Sequence, residues 1–208
     1  MRGPNITPGY WRAPQITAEA FDDEGFYKIG DALKFADPAD PAKGLLFDGR
    51  LAEDFKLGTG TWVSVGPLRA AFIAHFAPLV RDVVIAGADR DEVTALVFPD
   101  LDACRKLILD LPADTGPAEL LADPRVTTEF ARRLSTLAAA SRGSSTQVCR
   151  ITLLTTPPSL DIGEMTDKGS INQRAVLANR AGLVEELYAA VPSRHIIVAT
   201  SPQAAKAS

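Results

Sequence analysis

Four positions in this chain have residue types and settings suited to chemistry: Asp31, Arg50, Gly60 and Lys168. Asp31 follows Phe26-Tyr27-Lys28-Ile29, a run that reads as a strand, and then Gly30, so its carboxylate is expected at an exposed turn. An ionised carboxylate only accepts hydrogen bonds and can take two donors at once. In a loop, the same residue can equally be a plain turn aspartate. Arg50 opens the stretch Gly49-Arg50-Leu51-Ala52-Glu53-Asp54-Phe55-Lys56-Leu57-Gly58-Thr59-Gly60-Thr61-Trp62-Val63. Charged residues, then Gly-Thr-Gly, then an aromatic and β-branched pair describe a strand, an exposed turn and a second strand. A guanidinium there offers a planar fork to phosphate oxygens, or a weak surface pairing with Glu53 or Asp54. Gly60, lacking a Cβ, would let a slender molecule pass close to the backbone, or would simply turn the chain. Lys168 sits beside Gly169 on a loop, where its charge has reach; it can also be a solvated loop lysine.

Other reactive types lead nowhere by sequence. His75 lies beside the apolar face of a helix with Phe72 and Phe76 and reads as a packed histidine; His195 has no acid or cysteine close in sequence. Cys104 and Cys149 are isolated, so neither a metal knuckle nor a disulfide framework is indicated, and no metal site is expected.

The elements that must position these residues are legible as periodicities. Ile16 to Phe21 predicts a short helix closed by the turn cluster Asp22-Asp23-Glu24-Gly25. Leu45 to Phe47 reads as a strand and Asp37 to Lys43 as a loop. Pro67 is placed as a first helical residue, with Leu68, Phe72 and Phe76 at helical spacing and Pro78 marking the end. Val83 to Ala86 and Val93 to Phe98 form an antiparallel pair, with a helix through Leu101, Leu107 and Ile108 lying across it. Asp123-Pro124 caps a helix whose apolar face is Val126, Phe130, Leu134 and Leu137, ended by Gly143. Val148 to Leu154 is a further strand. The last helix is expected to start at Ser170, spaced to Gln173 as a capping box, with Val176, Leu183 and Leu187 on its buried side. Ile196 to Ala199 adds a short strand, and Ser201 to Ser208 a frayed tail.

The chain has 208 residues, 46% apolar and 23% charged, with a formal net charge of −4. That composition belongs to a soluble globular protein. The acidic balance argues against a nucleic-acid partner. No apolar stretch reaches the roughly 20 residues of a membrane helix, and the N-terminus has no apolar signal segment. A cytoplasmic location is therefore expected.

Three segments, in order, resemble motifs of the adenylate-forming superfamily of acyl-CoA synthetases. Pro8-Gly9-Tyr10-Trp11-Arg12 resembles its Pro-Gly-Tyr segment, and Tyr27-Lys28-Ile29-Gly30-Asp31 its Tyr-x-Thr-Gly-Asp segment. The stretch from Gly49 is similar to the Gly-Arg-x-x-Asp-x-x-Lys-x-x-Gly motif joining the family's two domains, with Glu53 at the aspartate and Gly60 one residue late. Glu53-Asp54-Phe55-Lys56-Leu57 followed by Gly60-Thr61-Trp62-Val63 is most like feruloyl-CoA synthetases. The resemblance implies that residues 1–48 are the end of a large N-terminal adenylation domain, absent here, and that residues 49–208 are the mobile C-terminal domain. It implies an α+β fold of acyl-CoA synthetase type: a small hairpin plus a central, mostly antiparallel sheet flanked by helices.

It further implies a ligase using ATP (with Mg) and CoA on an aromatic or other carboxylic acid. Asp31 would take the ribose hydroxyls, Arg50 the ribose and phosphate side, and Gly60 would line the pantetheine channel. The hinge falls at Ala52 or Glu53. Thr166-Asp167-Lys168-Gly169-Ser170-Ile171 resembles the family's Thr-x-x-Gly-Lys-Ile, yet Ser170 stands at the lysine position. Lys168 is then the candidate to supply the missing charge. The isolated chain is expected not to turn over. The alternative is a non-catalytic or truncated-gene module that binds a partner chain.

Overall fold

The computed structural model describes residues 1–112 and 114–200; the C-terminal stretch from Ser201, expected to fray, lies outside them. The chain divides into two compact units, Met1–Ala52 and Glu53–Ser208. The division falls between the two hinge candidates and past Asp48. The reason is local: strand β2 runs on to Arg50, and the Leu51 amide still donates to Gly30 O at 2.9 Å.

The first unit holds helix α1 (Pro14–Ala20), strand β1 (Asp31–Phe35) and strand β2 (Leu45–Arg50). β1 and β2 pair antiparallel, with Leu33 opposite Phe47 and Phe35 opposite Leu45. The strand expected at 26–29 is reduced to a single bridge between Phe21 and Tyr27. Its backbone groups are used elsewhere: the Tyr27 amide donates to Met1 O and the Lys28 amide to Ala20 O. The loop between the strands is held by Asp37, which accepts from the Ala39 amide and pairs with Lys43 at 2.7 Å. Among its described residues only Gly49 is buried, while Leu33, Phe35, Leu45, Leu46 and Phe47 are exposed. This unit has no core of its own.

The second unit is an α+β domain. Strands β3 (Phe55–Lys56) and β4 (Trp62–Val63) make the small hairpin, Phe55 facing Val63. Helix α2 (Val65–Phe76) follows, starting two residues before Pro67, since the Val65 amide is held by the Asp54 carboxylate at 2.8 Å. Proline is tolerated in that first turn because its absent N–H would have had no partner.

The main sheet has the order β5-β6-β7-β8: β5 (Val80–Ala86), β6 (Val93–Pro99), β7 (Val148–Leu153) and β8 (Ile196–Val198). β5/β6 and β7/β8 are antiparallel, whereas β6/β7 are parallel. A parallel pair needs a crossover, and this one carries α3 (Leu101–Arg105), α4 (Pro117–Ala122) and α5 (Pro124–Ala140). Side chains alternate across the strands. Val83, Ile85, Ala95, Val97 and Ile151 meet α2 and α5 in the larger core; Val84, Leu96, Phe98 and Ile196 meet α6 (Gln173–Asn179) and α7 (Ala181–Leu187) on the other face. Every residue of β6 is buried, which is why it reads as an unbroken apolar run.

Helix α5 opens as expected, with Asp123 accepting from the Arg125 amide, but it stops at Ala140 rather than at Gly143. The Ser141 hydroxyl there bonds both Leu137 O and Thr146 O, closing the turn early. On its exposed side Glu129 accepts from Arg132 and Arg133 at 2.7–2.8 Å. The Arg132 guanidinium, with Arg133 behind it, holds the Glu129 carboxyl down at about 2, against an ordinary 4.5. A lowered carboxyl pKa stabilises the fold above the unfolded value and is lost as pH falls through the folded value. Glu129→Gln should therefore lower urea stability at pH 7, and the difference from the parent should close between about pH 4.5 and about pH 2.

Candidate functional site

Asp31 and Arg50, far apart in sequence, come together in the first unit. Asp31 is the first residue of β1, not a turn residue after a strand, and its register partner is Arg50, the last residue of β2. Directly opposed residues of an antiparallel pair project on the same side of the sheet. Neighbouring charges are consumed: Lys34 pairs with Asp48 at 2.6 Å and Lys43 with Asp37. Within this unit neither the Asp31 carboxylate nor the Arg50 guanidinium has a side-chain partner among the described residues. An acceptor-only group and a planar five-donor group thus stand side by side, one half-exposed and one exposed.

In the second unit Gly60 lies at the tip of the β3–β4 hairpin, closed by the Leu57 amide on Thr61 O and the Gly60 amide on Leu57 O. Its φ of +81° favours glycine, and nothing lies within 4 Å of where a Cβ would stand. The hairpin is fastened to the β5–β6 turn: the Gly58 amide donates to Arg90 O and the Asp89 amide to Lys56 O.

Lys168 is exposed on the turn between Thr166 and Ser170, on a stem made by the Met165–Ile171 bridge. The Gly169 amide donates to Thr166 O, with Gly169 at φ +79°, and the Thr166 amide donates to Ser170 O. Ser170 is not the helix cap: its hydroxyl meets that of Thr166 at 2.7 Å. Asn172 caps α6 instead, accepting from the Ala175 amide. Gln173, expected to complete a capping box, turns inward and accepts the Ile85 amide at the outer edge of β5. An unpaired strand edge offers free N–H groups, and one of them claims this side chain.

A cavity of about 590 Å³ opens beside the Lys168 turn, lined by Arg81, Phe98, Pro99, Thr156, Met165 and Gly169 among others. Arg81 and Pro99 mark one end of the β5–β6 pair, whereas the Gly60 hairpin is fastened at the other. Seven residues of strand at about 3.3 Å each separate the two ends by roughly 20 Å. Gly60 and Lys168 thus serve opposite ends of one sheet.

The remaining candidates are accounted for. His75 Nε2 meets Arg133 O at 2.9 Å and its ring packs edge-on to Phe76. His195 does have an acid, Glu186, 2.6 Å away, together with the Ser193 hydroxyl at 3.2 Å. Both contact the same ring nitrogen, so they cannot form a relay through the imidazole. Burial pushes the Cys104 and Cys149 thiols up to about 11, which leaves them un-ionised at neutral pH. No group of three or more His, Cys, Asp or Glu among the described residues is placed to hold a metal. No described helix is long and apolar enough to cross a membrane. Sequence reasoning missed Glu164 and Arg180, a buried pair 16 residues apart that no local spacing announces.

The fold is that of the C-terminal domain of adenylate-forming enzymes. It resembles the A domain of carboxylic acid reductase from Segniliparus rugosus, solved in complex with AMP and a co-purified carboxylic acid, with a TM-score of 0.69, 26% identity, and coverage of 90% of this chain and 27% of that one. The A domain of the carboxylate reductase from Mycobacterium chelonae aligns at a TM-score of 0.65 and 27% identity, over 87% of this chain and 26% of that one. In sequence the chain is 29% identical over 186 residues to the carboxylic acid reductase of Segniliparus rugosus, covering 88% of this chain and 14% of that protein. It is 28% identical over 189 residues to a putative fatty-acid–CoA ligase of Mycobacterium tuberculosis, covering 91% of this chain and 32% of that protein. No protein-family model matches. The relatives and structural neighbours are adenylation domains of carboxylic acid reductases and acyl-CoA ligases, and this chain spans a third or less of their length.

Proposed function

We propose that this chain is the C-terminal part of an ATP-dependent acid–CoA ligase of the feruloyl-CoA synthetase type, acting in the cytoplasm with a large N-terminal adenylation domain. The observation that carries this reading is the placement of Gly60 and Lys168 at opposite ends of a single sheet. One rigid unit with two working ends suits two successive half-reactions, each end being presented in turn by rotation near Ala52 and Glu53. First the acid's carboxylate oxygen attacks the α-phosphorus of ATP and pyrophosphate leaves. Lys168 supplies positive charge to the phosphorane-like transition state. Then the thiolate of CoA attacks the acyl-adenylate carbonyl and AMP leaves, with Gly60 giving the slender pantetheine arm room beside the backbone.

The Asp31–Arg50 pair fits a nucleotide. The carboxylate can accept from two ribose hydroxyls while the guanidinium takes a phosphate oxygen. The described residues supply no magnesium site of their own, so magnesium would come with the nucleotide phosphates. The bare first unit, with apolar strands exposed on a two-stranded sheet, supports its being the rim of a larger domain. The carboxylic acid reductase relatives favour a second reading, in which the acid is activated in the same way but passed to a thiol other than CoA.

The chain is to be joined to its large domain and assayed for acid-dependent pyrophosphate release, then for thioester formation from supplied acyl-adenylate and CoA. Ferulate should outpace a fatty acid. Adenylate made without thioester favours the second reading. No adenylate from the joined protein, or pyrophosphate release by this chain alone, overturns the first. In the joined protein Asp31→Ala should raise the KM for ATP about tenfold or more, the loss expected for hydrogen bonds to a charged group.

A further inference from the structure

Beneath the Lys168 turn lies a heavily bonded side-chain pair, Glu164 and Arg180. The side chains of Glu164 and Arg180 are 1% and 12% exposed. Arg180 Nε donates to Glu164 Oε1 at 2.9 Å and Nη2 to Oε2 at 2.7 Å, a two-pronged contact. The rest of the guanidinium holds the incoming leg of the loop: Nη1 reaches Thr156 O and Oγ1, and Nη2 reaches Pro157 O at 3.0 Å. Its face lies 5.1 Å from the centre of the Phe98 ring. Glu164 holds the rest. Oε2 accepts from the Ser159 amide, and the backbone carbonyl accepts from the Asn172 amide at 2.8 Å. Lys168 stands midway between Glu164 and Asn172, on a loop closed at its base by that bond.

We propose, on the reading of Lys168 given above, that Glu164 and Arg180 are positioning residues for it, acting through the loop and touching neither substrate nor nucleotide. Stability alone does not call for such a pair. Two buried charges are costly to desolvate, and apolar side chains of similar volume often hold a fold as well or better. What the pair supplies is directional: Arg180 donates to Thr156 and Pro157 and Glu164 accepts from the Ser159 amide, three separate points of one loop, where apolar contacts would allow sliding. A lysine that must meet developing charge needs that fixity, because a displacement of about 1 Å at a reacting group can cost about 10²-fold in rate. Arg180 also sits where α6 gives way to α7, so the guanidinium is aimed at the loop from the helix break rather than from a helix face. Arg180 holds the Glu164 carboxyl below its ordinary range, so the pair stays ionised at neutral pH.

The test is a double-variant cycle in the joined protein, with Glu164→Gln, Lys168→Ala and the two together, following adenylate formation and thioester formation separately. Glu164→Gln should slow adenylate formation about 10- to 100-fold and leave thioester formation from supplied adenylate within about twofold. In the Lys168→Ala background it should cost less than about twofold more, as residues acting through one another are not additive. Losses that multiply in the double variant, or equal losses in both half-reactions, overturn the proposal while leaving the role of Lys168 standing. Lys168→Ala at the parent rate sinks that role and the proposal with it.

Should Glu164→Gln not fold, Asn179→Ala answers instead. It removes the exposed bond from Asn179 Nδ2 to Ile162 O on the same loop, together with the contact of that amide with the Glu164 carboxylate. Deuterium uptake at residues 157–171 should rise at unchanged Tm, with a selective fall in adenylate formation; unchanged uptake and rate overturn the proposal.

Discussion

Lys168→Ala in the joined protein should lower the rate of acyl-adenylate formation by about 10²–10³-fold, the loss typical of a donor aimed at developing charge. Thioester formation from supplied adenylate should continue near the parent rate, because the proposed function assigns that step to the Gly60 end of the sheet, roughly 20 Å away. The structure sharpens the contrast with Ser170. Its hydroxyl is shared with Thr166 and caps no helix, so Ser170→Ala should cost under about 1 kcal/mol of stability, a single exposed hydrogen bond, and leave both half-reactions intact. Rapid-quench measurement of each half-reaction checks this. Parent-rate adenylation by Lys168→Ala would show that the charge comes from another residue, and a Ser170→Ala rate loss would return the role to the family position.

Phe130→Ala should destabilise the second unit by about 3–5 kcal/mol, the range for deleting a fully buried aromatic ring that leaves a cavity. Phe130 on α5 lies 5.6 Å from Phe76 on α2, which stacks at 4.2 Å on Phe72, and all three rings are fully buried. This stack joins the two helices that cover one face of the sheet, so neither neighbour can swing in to refill the space without uncovering β5 or β7. Urea unfolding monitored by far-UV circular dichroism should show a lower midpoint at unchanged slope. A loss below about 1 kcal/mol would mean the stack relaxes freely and that α2 and α5 are not locked through it.

Elements governed by local rules were legible in the sequence, because those rules act between neighbours. Continuous apolar, β-branched runs gave β5, β6 and β7; the Asp123-Pro124 cap gave the start of α5; and Gly-Thr-Gly between short runs gave the β3–β4 hairpin. Where a residue's partner is distant, the same rules misled. Ser170 and Gln173 match a capping box by spacing, yet the free Ile85 amide of β5, 88 positions away in sequence, claims the glutamine and moves the cap to Asn172. His195 has no acid beside it in sequence, but the turn after α7 brings Glu186 within 2.6 Å.

The candidate site divides in the same way. Residue types and motif order singled out Asp31, Arg50, Gly60 and Lys168 and the chemistry each could do. Sequence placed Asp31 on a turn; only strand pairing sets it opposite Arg50, because register depends on which strand finds which. Spacing along the chain could not tell that Gly60 and Lys168 occupy opposite ends of a sheet, since that follows from where the β5–β6 turn and the loop after β7 close in space. Nor could it reveal Glu164 and Arg180, whose burial exists only once Phe98 and the loop from Thr156 to Met165 have packed around them.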